Sequence, residues 1–571
     1  LTPEEFRRHL KKRMSGAPGA DGWKPEELAS FPQDTWRTFL GLWEDWCTRK
    51  VFPDNLQHSK QVFLPKEEVL SDVTPVDKLR PICIQPVLCR VLASCMAERA
   101  QAWILAKVSA DTHGALKGRG VEAGVLSLDA ALSRDDILMS LDAYKCFDFM
   151  SPELSVGLLE HEGMHPQWAQ HLSHMWGCQH RWLQFSGATD ACPSVVSNSV
   201  PQGCAMAPMA LVCMLLEATR AVQASAAGAK LQQSVFVDDR TLVASDPTVA
   251  LGAWTCWGQW CGRLGLKENL KKLAVVCRVP WKRRVLVQGG IPVRSFTDST
   301  RVLGVDFDVG EAGLGVPTHD ARVVKAERVL QRLARAPLGA RLKRLLFRTR
   351  ASPLLAWGVW FHSDNKKEDA KLTTRIKRLL GRVTTMGSRD LWMLLEGPWV
   401  SSCFAAGTSA VAGLVRAREY WITRGVVLPG ARWQKRVDKF LTASDFQQAL
   451  PGQWVHPGVG VIDITGAQPR AQLGRALHLL REAYRLRPLL RCMRVHARMD
   501  VRCSMVVLLV RLCLAPLRME PPWLDVLGVI VSRFLRGTTS AGSARTFPTA
   551  ALVYRNTLSG ADLDGLVVRE I

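Results

Sequence analysis

The stretch SVFVDDRTLV, residues 234–243, places two adjacent aspartates, Asp238 and Asp239, inside an otherwise apolar run. The flanking Val, Phe and Leu residues are typical of a buried β-strand. A buried carboxylate costs several kcal/mol unless it is neutralised, paired or bound to a cation. The sequence therefore requires a group that compensates these two charges.

A second apolar run carries a third acid. The stretch ILMSLDAYKCFDFM, residues 137–150, reads as a strand that ends at Asp142. Two strands that each deliver carboxylates could hold two divalent cations about 3.5–4 Å apart, which activate an attacking hydroxyl and stabilise a leaving pyrophosphate. We therefore expect Mg²⁺ to offset the charge of Asp142, Asp238 and Asp239. The alternative is that the Asp pair is a solvated turn at a strand end.

The composition indicates a large basic protein. The chain has 571 residues, with 75 Lys and Arg against 52 Asp and Glu, a net charge of +23. Its hydrophobic fraction of 47%, with 20 Trp and 18 Phe, suffices for two or three packed domains. An excess of positive charge on this scale favours a nucleic-acid partner over a merely basic soluble protein.

The 16 cysteines show no pattern of zinc-ligand spacing and no disulfide framework. We expect a reducing, intracellular compartment, in the nucleus or the cytoplasm, and no secretion. The apolar stretches are too short or too interrupted by charge to span a bilayer, so no membrane partner is expected. Because the first residue is Leu1 and no signal peptide opens the chain, we expect a fragment of a longer reading frame.

The order of predicted elements is that of an α+β protein. Helices are expected over residues 1–50, where Thr2 precedes an acidic first turn, and a strand is expected at KQVFLPK, residues 60–66. After residue 136 we expect a strand, helices over 152–176, a β pair, a long helix over 205–224, the VFVDD strand and a helix near 248–264. RVLGVDF, residues 301–307, is expected to form one strand. No Gly-rich phosphate loop occurs.

Positive charge concentrates after residue 320. Residues 321–350 contain ten Arg or Lys and one acid, Glu327, with apolar residues at helical spacing. A second basic helix is predicted at 370–382. From about 430 we expect further helices, without a motif that carries chemistry.

Polar residues also lie between and around the acidic stretches. Pro201 and Gly203 in NSVPQGCAMAPMAL predict a tight turn into a helix N-terminus. Upstream, a β-hairpin brings three cations that suit a triphosphate: Lys66, Lys78 and Arg80. Downstream, LGLKENLKKLAVV offers Asn269 and Lys272.

The succession PK…RPI, D-x-x-x-x-F-D, PQG…P, F-x-DD, GL-x-x-N-x-x-K and x-LG-x-x-F resembles the reverse transcriptase domain. The order is most similar to non-LTR (LINE-type) retrotransposon enzymes, with group II intron proteins as close cousins. The resemblance covers roughly residues 15–310. It implies a right-hand polymerase: N-terminal extension and fingers over 1–135, a palm with an antiparallel sheet and part of the fingers over 136–310, a helical thumb and connection over 311–425, and a mainly helical region of unknown function over 426–571.

The resemblance also implies roles for single residues. Asp142, Asp238 and Asp239 match the catalytic metal ligands, with the backbone carbonyl of Ala143 completing a site for two Mg²⁺ or Mn²⁺ ions. Phe147 matches the ring that excludes a ribose 2′-OH, although core packing would also explain it. The remaining nucleotide-binding positions are Gln202 and Gly203 in the turn, Arg80 with Lys66 or Lys78 at the triphosphate, and Lys272 as the general acid for pyrophosphate.

The sequence departs from the family pattern at two positions, and one acid of the pattern is not expected to bind metal. Ala207 stands where the family commonly has Ser, and Cys146 stands where Ala is usual. Asp148 is typical of the LINE pattern, and we expect it to cap the helix that starts near Ser151.

The basic thumb helices imply contacts with a template–primer duplex that do not read sequence. The predicted contact residues are Arg322, Lys325, Arg328, Arg332, Arg335, Lys343, Arg344 and Arg348. The expected partners are an RNA template, a DNA or RNA primer and dNTPs. Two alternatives remain open at this point: an RNA-dependent RNA polymerase, and an inactive nucleic-acid-binding relic of a mobile element.

Overall fold

The structure is a computed structural model. The chain forms two compact units. One unit comprises Leu1–Leu303 with Phe307–Glu311, and the other comprises Gly304–Asp306 with Ala312–Ile571. The described residues are 1–49, 51–66, 75, 78–185, 187–226, 228–307, 317–357, 402–422, 431–444, 446–450, 453–456, 460–463, 474–481 and 483.

The first unit opens with the predicted helices α1 (Pro3–Lys11), α2 (Pro25–Ala29) and α3 (Gln33–Arg49). Helix α1 begins where the sequence signals indicate, because Thr2 accepts a hydrogen bond from the Glu5 amide and Pro3 occupies the first turn. Phe6 of α1 is buried against Trp36 of α3, with ring centroids 4.9 Å apart.

A first sheet has the strand order β2-β1-β5-β6, with β7 also paired to β5. Its strands are β1 (His58–Pro65), β2 (Leu79–Ile84), β5 (Gln179–Phe185), β6 (Ala188–Thr189) and β7 (Ser194–Val196). Strands β1 and β2 are antiparallel, whereas β1 and β5 are parallel and place His58 opposite His180. The β pair predicted after residue 180 is formed by β5 and β7.

A second sheet has the order β10-β4-β9-β8-β3, and all of its strands except β3 lie in the region predicted as palm. Its strands are β3 (Thr112–His113), β4 (Ile137–Leu141), β8 (Leu231–Phe236), β9 (Asp239–Ala244) and β10 (Ala274–Val276). Strands β8 and β9 form a hairpin in which Phe236 pairs with Asp239, so its two-residue turn consists of Val237 and Asp238. Strand β9 also pairs antiparallel with β4.

Helices cover this sheet and bury its central strands, and four of the five β4 residues are buried. The helices of the unit after α3 are α4 (Val87–Lys107), α5 (Val121–Ala131), α6 (Cys146–Phe149), α7 (Pro152–His161), α8 (Pro166–Gly177), α9 (Ala207–Met214), α10 (Leu216–Ala224), α11 (Pro247–Arg263) and α12 (Pro280–Gln288). Helices α5 and α10 contact β8, and α11 contacts β9 and β4.

Two expectations about these elements were wrong. The long helix predicted over 205–224 is the pair α9 and α10, separated at Leu215. The single strand predicted at RVLGVDF is two short strands, Thr300–Val302 and Val305–Phe307, because Leu303 and Gly304 adopt positive φ angles of 50° and 82°. A strand cannot continue through two such residues.

The second unit contains the predicted basic helices α13 (Pro317–Arg335) and α14 (Ala340–Leu346), a π-helical turn at Phe347–Ala351 and α15 (Ser352–Ala356). Further helices span Ser402–Ile422 and Ala431–Ala443. Three antiparallel strands that the sequence analysis did not predict follow at Gln447–Leu450, Gln453–His456 and Gly460–Asp463. The basic helix predicted at 370–382 lies outside the described residues.

Across the described part of the chain, no helix combines the length and the apolar character needed to cross a membrane.

Candidate active site

The three predicted carboxylates meet at one end of the second sheet. Asp142 directly follows β4, Asp238 lies in the β8–β9 turn, and Asp239 begins β9. Leu141 and Arg240 are paired across β4 and β9, so Asp142 and Asp239 leave neighbouring strands at the same level. Asp142 lies close enough to Asp239 to raise its pKa, both through its charge and through side-chain hydrogen bonding. The structure thus brings together the acids that lie almost a hundred residues apart in sequence.

Burial and the neighbouring carboxylates raise the pKa values of Asp238 and Asp239. Burial, followed by the charges of Asp238 and Asp142, raises the pKa of Asp239 to about 7, although part of its side chain reaches solvent. The pKa of Asp238 is also raised, mainly by burial and also by the charge of Asp142. A hydrogen bond between two carboxyl groups needs a proton on one of them. Divalent cations would replace that proton, so this oxygen-rich group fits Mg²⁺ or Mn²⁺.

The segment after α11 holds Asp142 in place. Asn269 Nδ2 and Lys272 Nζ both contact Asp142 Oδ2, at 2.8 and 2.9 Å. The Asn269 amide also donates to the Asp142 carbonyl at 2.9 Å. Sequence analysis selected Asn269 and Lys272 by their spacing, but it did not predict that they converge on one carboxylate oxygen.

Ala143 lies in a short antiparallel bridge with Glu268. The flanking hydrogen bonds join Asn269 N to Asp142 O and Tyr144 N to Lys267 O, at 2.9 and 2.7 Å. These two bonds lie on either side of Ala143 and do not use its carbonyl oxygen. That oxygen therefore keeps its acceptor capacity next to Asp142, as a metal ligand requires.

The turn around Gln202 is anchored to β2. The Cys83 amide of β2 donates to the Gln202 carbonyl at 2.7 Å. Gly203 has φ of 131°, and a Cβ atom there would lie 2.5 Å from the Cys83 carbonyl oxygen. Only glycine fits this position, because it needs both the left-handed backbone and the close approach of another strand.

The same turn is anchored to helix α6. Gln202 Nε2 donates to Asp148 Oδ1 at 3.0 Å, and the Val200 amide donates to the Phe147 carbonyl at 3.2 Å. The expectation that Asp148 caps the next helix was wrong. Ser151 caps α7 with its own hydroxyl, which accepts from the Leu154 amide, and this leaves the Asp148 carboxylate to hold Gln202.

The three cations expected at the triphosphate lie on the β1–β2 hairpin. Arg80 is exposed on β2, and its positive charge lowers the pKa of Asp238, opposing the effect of burial. Lys66 and Lys78 are joined at the end of the hairpin by a backbone hydrogen bond of 2.9 Å. Most of the loop between these lysines lies outside the described residues, so the choice between them stays open.

Sequence analysis missed Arg240, which follows the Asp pair. Its side chain is 1% exposed on the face of β9 opposite to Asp239 and lies over the Trp257 ring at 4.5 Å. It donates to Gln233 Oε1 at 2.7 Å and to Thr219 Oγ1 at 3.0 Å. Burial lowers the pKa of Arg240 to about 10. The signal was a basic residue inside an apolar run, and its hydrogen bonds fix β9 behind the carboxylates.

The predicted nucleic-acid contacts in the second unit differ in exposure. Helix α13 buries Val323, Ala326, Leu330 and Leu333 on one face. Its other face exposes Lys325, Arg328, Arg332 and Arg335, and Arg348 is exposed in the π-helical turn.

Two of the predicted contact residues donate hydrogen bonds to backbone carbonyls of the second unit. Arg322 donates to the Trp357 carbonyl at 2.9 Å, and Lys343 donates to the Ala334 carbonyl at 3.2 Å. Arg344 lies on α14, and its side chain is outside the described part. Val324, one of the residues 321–350 whose helical spacing predicts an apolar face, is 47% exposed.

Comparisons with known proteins found one family match and distant similarity to solved structures. Residues 64–307 match the family described as reverse transcriptase (RNA-dependent DNA polymerase). Apo telomerase from Candida tropicalis, truncated from its C-terminal domain, matches at 11% identity and a TM-score of 0.33, over 49% of this chain and 59% of the telomerase. Telomerase from Candida albicans in complex with a TWJ fragment of telomeric RNA matches at 11% identity and a TM-score of 0.36, over 72% and 68%. The chain thus spans less than two thirds of the first telomerase.

The family match includes the three carboxylates, the Gln202 turn and the β1–β2 hairpin end. The fold is that of a right-hand polymerase of mixed α+β class, with the second sheet, antiparallel except for the β3–β8 pair, as its palm. Residues 64–307 of this chain are therefore a reverse transcriptase domain.

Proposed function

We propose that this protein is an RNA-directed DNA polymerase of a non-LTR retrotransposon-like element, which extends a DNA or RNA primer along an RNA template with dNTPs. The observation that carries the proposal is the convergence of Asp142, Asp238 and Asp239 at one end of the palm sheet. The order of the sequence motifs supports the retrotransposon assignment.

The residues that would hold two Mg²⁺ ions, with Mn²⁺ as a substitute, are the three aspartates and the Ala143 carbonyl. When bound, the ions activate the primer 3′-OH and stabilise the charge that develops on the pyrophosphate. Asn269 orients Asp142 through its 2.8 Å hydrogen bond, and Arg80 with Lys66 or Lys78 binds the triphosphate. Lys272, whose ammonium group lies at Asp142, donates a proton to the leaving pyrophosphate.

Phe147 selects deoxynucleotides in this proposal. Its backbone is fixed by the hydrogen bond from Val200, and its half-buried ring lies on α6, one short turn after Asp142. A ring held at this point leaves no room for a ribose 2′-OH. The RNA-dependent RNA polymerase alternative predicts no such exclusion.

A primer-extension assay with purified protein and a primed RNA template tests the activity. We expect extension with dNTPs and Mg²⁺, and a loss of at least about 100-fold in Asp238→Asn. Asp135→Asn changes an exposed carboxylate just before β4 and should retain full activity. Absence of extension by the unmodified protein would favour the inactive nucleic-acid-binding relic.

A nucleotide-choice assay tests Phe147. Phe147→Ala should raise the use of rNTPs relative to dNTPs by roughly tenfold or more, because it removes a steric exclusion. Phe149→Ala on the same helix is the control, and it should leave the ratio unchanged. An unchanged ratio in Phe147→Ala as well would assign that ring to core packing.

We also infer that the protein works inside the cell, in the nucleus or the cytoplasm. The cysteines of the described residues carry free thiols, and most of them are buried, as a reducing compartment allows. Microscopy of the tagged full chain is the corresponding measurement.

A further inference from the structure

Two histidines and an aspartate face one another on the first sheet, away from the three catalytic aspartates in sequence. The parallel pairing of β1 with β5 sets His58 directly opposite His180, and their rings stack with centroids 4.7 Å apart and planes 14° apart. Asp54 lies four residues before His58, in the 3₁₀ turn Asp54–Leu56 that leads into β1. One potential ligand atom from each residue lies within 4.8 Å of the other two.

The carboxylate of Asp54 spans both rings. His58 Nε2 lies 3.7 Å from Asp54 Oδ2, and His180 Nε2 lies 3.7 Å from Asp54 Oδ1. These distances are too long for hydrogen bonds. In a tetrahedral zinc site, two ligand atoms that each lie about 2.0 Å from the metal are about 3.3 Å apart, which is close to the observed distances. A shift of a few tenths of an ångström in each side chain would close the site.

We propose that Asp54, His58 and His180 form a binding site for Zn²⁺. Two imidazoles and one carboxylate are a ligand set that selects zinc over the oxygen-binding Mg²⁺. Asp54 is 80% exposed and the two rings are 27% and 24% exposed, so an ion can enter from solvent. Cys178, the residue before β5, adds a thiol with Sγ 4.0 Å from His180 Nε2.

Trp182 competes with this ion. Its indole Nε1 donates to His58 Nδ1 at 3.1 Å, so the neutral His58 ring carries its proton on Nε2. Zinc needs the lone pair of Nε2, and the proton must then move to Nδ1, where it opposes the indole N–H. Loss of the indole N–H should therefore strengthen zinc binding.

The site would act as a clamp within the first sheet. It joins the 54–56 turn and the start of β1 to the start of β5, which lies more than a hundred residues later in sequence. Bound zinc should stabilise the folded protein according to its concentration and affinity. This inference does not depend on polymerase activity.

Zinc titration of the metal-stripped 571-residue protein in excess Mg²⁺ tests the site. Mg²⁺ occupies the oxygen ligands at Asp142, Asp238 and Asp239 and leaves the histidines to zinc. We expect the unmodified protein to bind one equivalent of Zn²⁺ tightly and its thermal midpoint to rise. His58→Gln and His180→Gln should each weaken zinc binding at least about tenfold and abolish the rise in the thermal midpoint. His161→Gln is the matched control, because His161 is an exposed histidine with Nδ1 3.6 Å from Glu162.

Trp182→Phe supplies a second measurement that keeps an aromatic ring in place. It should bind zinc roughly two- to tenfold more tightly, the range of one hydrogen bond. The removal of Trp182 would not tighten the binding of a nonspecifically bound cation. Unchanged zinc affinity in Trp182→Phe, retained affinity in either histidine variant, or equal losses in the His161→Gln control would overturn the proposal.

Discussion

At the scale of single residues, Lys271 and Lys272 carry the same charge, but only the contact of Lys272 with Asp142 supports a role as general acid. Both side chains are exposed in the same turn, but Lys272 Nζ lies 2.9 Å from Asp142 Oδ2. We expect Lys272→Gln to lower the single-turnover extension rate by about 100-fold, because a general acid for pyrophosphate contributes at least that factor. Lys271→Gln removes the same charge one residue earlier and should stay within about twofold of the unmodified protein. Equal rates in the two variants would exclude the general-acid role.

A second residue, His171, makes the stability of the first unit depend on pH. It is 2% exposed, with Nδ1 3.2 Å from Cys47 Sγ and its ring 3.5 Å from the Trp43 ring. Burial, with the charge of His174, lowers its pKa to about 3. Below its ordinary pKa of 6.5 the unfolded chain binds a proton that the folded protein excludes. Stability is therefore lost as the pH falls from 6.5 toward 3.

The expected effect of His171 is about 2 kcal/mol between pH 6.5 and pH 5. Urea unfolding followed by far-UV circular dichroism measures it. His171→Leu should reduce the drop in unfolding free energy over this range, whereas the exposed His161→Gln should retain the drop of the unmodified protein. If His171→Leu also retained the drop in unfolding free energy, groups other than His171 would cause the loss of stability at acidic pH.

At the scale of elements, α6 and the Gln202 turn act as one unit. Asp148 holds the Gln202 side chain, and β2 holds its backbone. We expect Asp148→Ala and Gln202→Ala each to slow extension about five- to tenfold, and the double variant to be no slower than the slower single one, because both remove the same hydrogen bond. The pair Asp148→Ala with Lys271→Gln should be additive. Additive losses in the first pair would show that Asp148 does not act through Gln202.

The elements that sequence predicted well are those whose signals are local. Thr2 and Pro3 mark the start of α1, and the alternation from β8 through Asp239 marks the hairpin of the palm. The division of the 205–224 helix at Leu215 and the break at Leu303 and Gly304 were missed, because they depend on backbone angles that no single residue type dictates. The strands after residue 446 were missed for lack of any strong alternation.

The candidate site followed the same rule. Asp142, Asp238 and Asp239 could be predicted because carboxylates in apolar strands are expensive and need a common partner. Neither the contact of Asp148 with Gln202 nor the burial of Arg240 beside Thr219 could be predicted. Both are contacts between distant segments, which spacing along one strand or helix does not encode.

At the scale of the whole molecule, the net charge of +23 predicts tight and salt-sensitive binding to nucleic acid. If the positive charge were spread evenly over the surface, every exposed cation would contribute equally to nucleic-acid binding. Helix α13 is instead amphipathic, since it buries Ala326 and Leu330 and exposes Lys325 and Arg335. If α13 lies along the template–primer duplex, the cations of this helix dominate the salt dependence.

The variant Lys325→Gln with Arg335→Gln tests that distribution. Each lost phosphate contact lowers the slope of log affinity against log salt by about 0.9, so the slope should fall by about 2. Arg37→Gln with Arg49→Gln removes the same charge from α3, where both arginines are exposed and paired with Asp34 and Asp45, and should leave the slope unchanged. Fluorescence anisotropy of a labelled primer–template duplex over a range of salt concentrations measures both. Equal slopes in the two double variants would mean that net charge, and not the exposed face of α13, holds the duplex.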